Sequence, residues 1–383
     1  MSHIVGASES SRFRLEPRPS HGLPRTAFLS DEIFEVEWER IFSRYWLSLI
    51  GADGLRDVGA CRVVDWPRRP VVIARGQDGQ LRGFDNVCRH RGCRLLKAGV
   101  ESHGGAFRCP YHGWTYRDDG RLAAVPNAGD EILSERERLG LNTFAVEECC
   151  EQIFVRFSQE EGDLPIWLQP LLSNIAPWFA SPLFCAHRIP YEIEANWKLV
   201  FQNFNECYHC RFVHPGLNAL TRFDTASNDL VEGPILGGPM ILSDGVESMT
   251  ASGRLCGAPF SSLDPHRLRR VYYFTVFPNL FISPHPDYVM THRLIPLSRT
   301  RTRIECEFWF QQELADGKPV DATGAADFWD SVNREDWYVC EQTQAGVQSM
   351  SFEPGPYAAT ESMVAEFDRY YRSVMRGVDW IQS

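Results

Sequence analysis

Hydrophobic and polar positions change rhythm twice along this chain. Behind Ser30-Asp31-Glu32, apolar residues recur at helical spacing as Ile33, Phe34, Val36, Trp38, Ile41 and Phe42. A helix is expected there, with Ser30 or Asp31 capping its free amides and one stripe buried. Over residues 46–157 the pattern turns to short alternating runs broken by Gly, Pro and Asp. Val71-Val72-Ile73-Ala74, Leu81-Arg82-Gly83-Phe84 and Trp114-Thr115-Tyr116 read as strands, and Gln77-Asp78-Gly79 and Asp118-Asp119-Gly120 as hairpin turns. Beyond residue 158 the segments lengthen. Val271-Tyr272-Tyr273-Phe274-Thr275-Val276-Phe277 and Leu280-Phe281-Ile282 predict buried strands. In 301–311, Ile304, Cys306, Phe308 and Phe310 alternate with Arg303, Glu305 and Glu307, predicting a strand with one wet face. The expected fold class is α+β. An antiparallel β-domain over 46–157 is inserted into a helix-on-antiparallel-sheet domain formed by 1–45 and 158–383.

Composition narrows the function. At 383 residues, with 44% hydrophobic and 23% charged residues, the chain can bury two ordinary globular cores. A net charge of −11 offers no basic face for phosphates, so no nucleic-acid partner is expected. The same charge suits a basic redox partner or simply a solvated acidic surface. No run approaches eighteen uninterrupted apolar residues, so no membrane span is predicted. Residues 1–27 are polar, lack a secretory apolar core, and carry Glu9 and Glu16 against an organelle-transit reading. The twelve cysteines are therefore expected as thiols of a reducing cytoplasm, with Cys61, Cys93, Cys185, Cys256 and Cys306 as packing residues.

Candidate chemistry begins with two short strings, Cys88-Arg89-His90-Arg91-Gly92 and Cys109-Pro110-Tyr111-His112-Gly113-Trp114, with eighteen residues between His90 and Cys109. Two thiolates and two imidazoles suit a tetrahedral zinc ion. They equally suit a [2Fe–2S] cluster whose cysteines hold one iron and whose histidines hold the other. Zinc modules usually pair like with like along the chain, whereas here each loop offers one of each kind. With the flanking Arg-Gly and Gly-Trp, the strings resemble a Rieske centre.

A second constellation runs from Asn196 through Glu206-Cys207-Tyr208-His209 to His214-Pro215. His209 and His214 would stand about 140° apart on a straight helix, so they share a metal only if the helix bends or ends between them. Pro215 is consistent with such an ending, and two ordinary histidines are the alternative. A third ligand should be a carboxylate, because two histidines and one carboxylate leave iron(II) positions open for O2. In the helix predicted over 328–341, Asp336 falls on the apolar stripe of Trp329, Val332, Val339, Cys340, Thr343 and Val347, while Asp330 and Glu335 point elsewhere. A carboxylate on a buried face needs a metal or a paired arginine.

Together these residues resemble the α subunit of Rieske non-haem iron oxygenases over nearly the whole chain. The resemblance implies a [2Fe–2S] cluster on Cys88, His90, Cys109 and His112, and a mononuclear Fe(II) on His209, His214 and Asp336. It makes Glu206 the acid that bridges the two centres, from His209 of one copy to His112 of the next in a homotrimer. It further implies a small-molecule substrate and O2 as co-substrate for a mono- or dioxygenase. Electrons would come from NAD(P)H through a separate flavin/iron–sulfur reductase, in keeping with the lack of a GxGxxG turn after a strand. The Glu206-Cys207-Tyr208-His209-Cys210 string, with Asp336 and Cys340-Glu341, looks like the subgroup acting on choline, glycine betaine, carnitine or stachydrine. Tyr272, Tyr273, Phe274 and Phe277 would offer faces to such a cation or form plain core. That subgroup usually carries Glu-Asn where this chain has Gln202-Asn203. The departure leaves hydroxylation or O-demethylation of an aromatic or carboxylated molecule as the alternative. A Rieske electron carrier without catalysis is the reading of a different class.

Overall fold

The computed structural model describes residues 20–378 apart from 100, 128, 159–161 and 312–319. Most of the polar arm expected over 1–27 lies outside the described residues. Two compact units emerge: residues 43–169 with 182–185, and the remainder of the chain.

The opening segment forms α1 (Arg25–Leu29), which the hydrophobic pattern did not announce, and α2 (Asp31–Glu37). Ser30 caps α2, its Oγ accepting from the Ile33 amide at 3.2 Å. A π turn then carries Trp38, Ile41 and Phe42 into the core.

In the first unit, β1 (Leu47–Gly51), β2 (Cys61–Trp66), β3 (Arg69–Arg75), β4 (Leu81–Asp85), β8 (Thr143–Cys149) and β9 (Gln152–Arg156) form an antiparallel sheet of order β1-β9-β8-β4-β3-β2. Val71, Val72, Ile73 and Ala74 of β3 are all buried, so this strand is covered on both faces. A three-stranded sheet of β5 (Ala106–Arg108), β6 (Thr115–Arg117) and β7 (Leu122–Ala124) accompanies it. Phe84, Phe107, Trp114, Tyr116 and Leu122 close a core that also takes in Cys88 and Cys109. Two short helices, α3 (Asp130–Ser134) and α4 (Leu164–Ile175), follow in the chain.

The second unit is built on a six-stranded sheet. β11 (Ile235–Ile241), β12 (Arg270–Val276), β13 (Leu280–Pro284), β14 (Val289–Ser298) and β15 (Arg301–Gln311) run as an antiparallel meander, and β10 (Leu183–Ile193) lies beside β15. The helices are α5 (Trp197–Phe204), α6 (Cys210–Val213), α7 (Pro215–Leu220), the 26-residue α8 (Thr323–Gln348) and α9 (Ser362–Val374). α5 touches α8, α9 and β14. One expectation holds only in part on β15. Arg301 and Arg303 keep about half of their side chains exposed, but further along Trp309 is buried and Glu307 is closed over by Arg188 and Arg293, each 3.0 Å from its Oε1. Alternation marks which face packs on the core, but a buried ion pair on the other face looks polar in sequence.

Beneath α5 sits the most costly group of this unit. Lys198 is fully buried, with Nζ 2.5 Å from Glu37 Oε1. Glu37 also accepts from Tyr371 Oη at 2.5 Å and from Trp197 Nε1 at 2.9 Å. The rings of Phe28, Trp197 and Tyr371 surround the ammonium. Burial pushes the Lys198 pKa down against the pull of Glu37. Removing one partner from such a pair strands the other charge, whereas replacing both can be nearly neutral. Glu37→Ala should therefore cost about 3–5 kcal/mol, and Glu37→Leu combined with Lys198→Met much less. Thermal unfolding by calorimetry checks this, and an equal loss in both variants would contradict it.

Candidate metal centres

The two Cys–His strings fold into matching five-residue loops. Gly92 N donates to Cys88 O at 3.0 Å, and Gly113 N to Cys109 O at 3.1 Å. Both glycines have positive φ, 74° and 72°, a backbone that residues with a Cβ rarely adopt, so each loop closes where its sequence places glycine. Cys88 and Cys109 are buried, and their thiols lie within hydrogen-bonding reach of one another. His90 and His112 stand exposed above them with ring centroids 4.7 Å apart, and His90 stacks on Trp114. Two inward thiols and two outward imidazoles on adjacent loops fit a cluster with chemically distinct halves. Tyr116 adds a partner that the sequence did not flag: its hydroxyl lies 3.3 Å from Cys88 Sγ and accepts from Arg89 N at 3.0 Å. Cys93, expected as a packing residue, packs on this core and also reaches the Cys109 thiol.

In the other unit the helix does break between the two histidines. α5 ends at Phe204, His209 precedes the single turn of α6, and His214 follows it in a non-helical conformation. Both Nε2 atoms thereby meet Asp336 Oδ1, at 3.2 Å from His209 and 2.9 Å from His214. One donor atom from each residue lies within 4.8 Å of the others. The Nδ1 atoms turn outward to carboxylates, His209 to Glu206 Oε1 and His214 to Glu335 Oε2, the latter at 2.6 Å. Carboxylates behind histidines fix the ring tautomer so that Nε2 is the free ligand atom, as at many metal sites. Two imidazoles and one carboxylate on one side fit an iron(II) with open positions.

Two corrections follow. Glu335 does lie off the apolar stripe, with 40% of its side chain exposed, yet it belongs to the site: the helix break swings His214 round to that side of α8, where its Nδ1 meets Glu335 Oε2. On the stripe, Thr343 is exposed, whereas the polar Asn333 and Gln344 are buried. No arginine pairs with Asp336 among its described partners; the two histidines do. Burial opposes its charge, yet they hold its pKa well below the usual carboxylate range. Burial likewise works against a charged His209, but Asp336 and Glu206 outweigh it and lift its pKa to about 10.

Residues 185–377, just over half of the chain, match the ring hydroxylating alpha subunit (catalytic domain) family, and residues 46–145 match the Rieske [2Fe-2S] domain. The chain belongs to the Rieske non-haem iron oxygenase α subunits. It resembles the glycine betaine monooxygenase oxygenase subunit of Chromohalobacter salexigens, at 28% identity over 97% of this chain and 90% of that protein. The chloroplastic choline monooxygenase of Spinacia oleracea is 25% identical over 90% of this chain and 76% of its own length. In fold, the quaternary ammonium Rieske monooxygenase CntA in complex with L-carnitine aligns with TM-score 0.75 at 22% identity, over 94% of this chain and 97% of that one. The chain is thus an oxygenase subunit with a Rieske [2Fe–2S] cluster and a mononuclear iron. It acts on a small molecule with O2 and electrons from NAD(P)H through a separate reductase. That sets aside a zinc module and a bare electron carrier. No helix among the described residues is long and apolar enough to cross a membrane.

Because His209 holds a proton below about pH 10, a metal ion bound at His209, His214 and Asp336 has to displace it. Affinity for Fe(II) or Zn(II) should rise with pH, by up to about tenfold per unit between roughly pH 6 and 8. Chelator competition at several pH values measures this, and a flat profile would remove the linkage. A hydrogen bond to cluster sulfur favours the reduced, more negative state. Tyr116→Phe should lower the one-electron potential by on the order of 50 mV, the equivalent of about 1 kcal/mol. Redox titration followed by EPR reads the shift, and an unchanged potential would show that the contact does not tune the cluster.

Proposed function

We propose that this chain is the terminal oxygenase of a system that hydroxylates or oxidatively N-demethylates a small quaternary ammonium compound of the betaine and choline type. Supporting this is similarity along nearly the whole chain, at 28% and 25% identity, to relatives that carry those names. On this reading Cys88, His90, Cys109 and His112 hold the cluster, and His209, His214 and Asp336 hold the iron. When bound, these groups supply single-electron transfer and O2 activation. The chain's own residues do the rest: Glu206 and Glu335 hold the two imidazoles with Nε2 inward.

The Gln202 departure has a local cause. Its amide donates to Asp368 Oδ1 at 2.7 Å. Burial lifts the Asp368 pKa to about 6, so a glutamate at position 202 would set a second carboxylate against the first. The departure therefore reflects what surrounds α5 and is weak support for an aromatic or carboxylated substrate.

The proposal includes a homotrimer in which Glu206 also meets His112 of a second copy. A cavity of about 340 Å3, lined by Gln202, Asn203, Glu206 and His209 among others, opens on that side of the triad. Exposed Tyr208, Phe212 and Tyr338 near the triad, and Tyr111 beside His112, offer apolar surface for such a contact. A cytoplasmic setting accords with twelve cysteines that all remain thiols.

Anaerobically purified protein, supplied with NADH and a reductase, should consume O2 and release formaldehyde from one of glycine betaine, choline or carnitine. Glu206→Gln should keep its iron and cluster content while turnover falls about 10- to 100-fold. Unchanged turnover would remove the bridging role. Absence of coupled O2 uptake with every alkylammonium tested would sink the substrate class.

A further inference from the structure

The turn between β8 and β9 sets two cysteines side by side, outside both sets of metal ligands. Cys149 ends β8 and pairs with Gln152 at the start of β9, so Cys150 and Glu151 alone make the loop. Both have positive φ, 51° and 58°. Two such residues in a two-residue hairpin match the twist of the strands, and Asn-Gly or Asp-Gly usually supplies them. Here each position carries a Cβ that disfavours this backbone. The turn geometry therefore gives cysteine no reason to stand there.

Glu151 holds the loop in that shape. Its Oε1 accepts from Leu183 N at 2.8 Å, its Oε2 from Arg56 Nη2 at 2.5 Å, and its carbonyl from Ala52 N at 2.9 Å. A loop pinned at one residue from three sides presents the neighbouring residue in a fixed conformation. That conformation brings Cys150 Sγ to 3.6 Å from Cys149 Sγ. Both residues are partly exposed, so the pair borders solvent. Cys207 and Cys210 also reach one another, but they flank the ligand His209 and Cys210 is buried.

A covalent S–S bond is about 2.0 Å long, so closure asks for a shift of about 1.6 Å, within reach of side-chain rotation. Adjacent residues hold their Cα atoms about 3.8 Å apart, short of the usual range of about 4.4–6.8 Å for disulfides. The resulting bond is strained and easily reduced, which suits a reversible modification and not a structural staple. The two thiols are also unequal. A hydrogen bond from Cys150 lowers the Cys149 pKa against burial and the charges of Glu147 and Glu148. The same contact and burial push the Cys150 pKa up. Cys149 is thus the thiolate that attacks and Cys150 the thiol that resolves.

We propose that Cys149 and Cys150 form a peroxide-reactive dithiol, a reversible oxidation site separate from both metal sites. Cys149 thiolate attacks H2O2, the O–O bond breaks, and the sulfur becomes a sulfenic acid while the departing hydroxide takes a proton and leaves as water. Cys150 then attacks that sulfur; the S–O bond breaks, the S–S bond forms and a second water leaves. Two thiols give up two electrons and two protons, and one H2O2 becomes two H2O. The oxidant has a source in the enzyme's own chemistry, because O2 that takes up two electrons and two protons without oxidising a substrate leaves as H2O2.

The anaerobically purified holoenzyme, treated with a few equivalents of H2O2, then iodoacetamide, digestion and mass spectrometry, tests this. The peptide carrying Cys149 and Cys150 should be two hydrogens lighter, its labelling should fall at least about tenfold, and dithiothreitol should restore it. Cys150→Ser removes the resolving thiol and should leave a sulfenic acid on Cys149 that dimedone captures. Cys149→Ser should leave Cys150 as a thiol that still takes label. Unfolding the wild-type chain in urea before adding peroxide should abolish the preference for this pair, because the turn no longer sets the sulfurs together. Full labelling of both cysteines after peroxide would overturn the proposal. So would a disulfide from either to Cys185 or another cysteine, closure at Cys207–Cys210 before this pair, or equal oxidation of the pair in the unfolded chain. Dimedone capture at Cys150 in Cys149→Ser, as fast as at Cys149 in Cys150→Ser, would overturn the assignment of Cys149 as the attacking thiol.

Discussion

The carboxylate of Asp336 is a charge held largely out of water, and much of the second unit is arranged to make that tolerable. Only 16% of its side chain is exposed, and its partners are two neutral-capable rings rather than a fixed cation. An arginine would have satisfied it permanently. Imidazoles can instead give up their protons to a metal, so the same geometry serves with or without one. This requirement explains the broken helix. A continuous helix from α5 to α7 would carry His209 and His214 on different faces, and only the interruptions after Phe204 and around α6 bring both Nε2 atoms to one oxygen. Behind each ring a second carboxylate, Glu206 or Glu335, restrains the side that does not face Asp336.

The two centres differ in how much of them could be read from the chain. Cys88, His90, Cys109 and His112 are local: each loop is five residues long, and glycine ends it where the backbone turns left-handed. Spacing therefore announced a set of two thiolates and two imidazoles, and the resemblance carried by the flanking residues made it a Rieske centre. Asp336 was visible through helical periodicity, because a lone acid on an apolar stripe needs an explanation. Glu335 was misread for the same reason. Its direction on α8 is correct, but whether anything meets it there depends on the path of the chain after α6, which periodicity does not describe. Tyr116 and the Glu37–Lys198 pair were invisible. Tyr116 looks like any strand aromatic, and Glu37 and Lys198 are joined only by the packing of distant segments.

Buried polarity has two separate uses in this unit. Glu37, Lys198, Trp197 and Tyr371 form a closed set in which each charge is paired and ringed by aromatic faces, so it contributes position and no reactivity. Asp330, Tyr191, Asn333 and His292 form an open one. Its surface end is charged, with Arg334 2.8 Å from Asp330, and its inner end stops at His292 Nδ1, which has no partner among the described residues. A core selected only for stability would replace such a nitrogen with carbon, since an orphaned acceptor costs about 1–3 kcal/mol.

α8 ties these roles together. Asp330, Asn333 and Asp336 follow at intervals of three residues, which carries them round about 120° of the helix with about 4.5 Å of rise between successive members. One rigid element thus carries the outer acid of that open set, the amide that meets His292, and the carboxylate of the metal triad. The spacing between Asn333 and Asp336 is then fixed by helical geometry instead of by loop conformation. A substitution that rotates or bends α8 moves both together, so the packing of Asn333 against His292 and the placement of the Asp336 carboxylate cannot drift apart independently. For an enzyme that must hold a reactive centre close to a bound molecule without the molecule binding to it, that common ruler is the constraint that matters most.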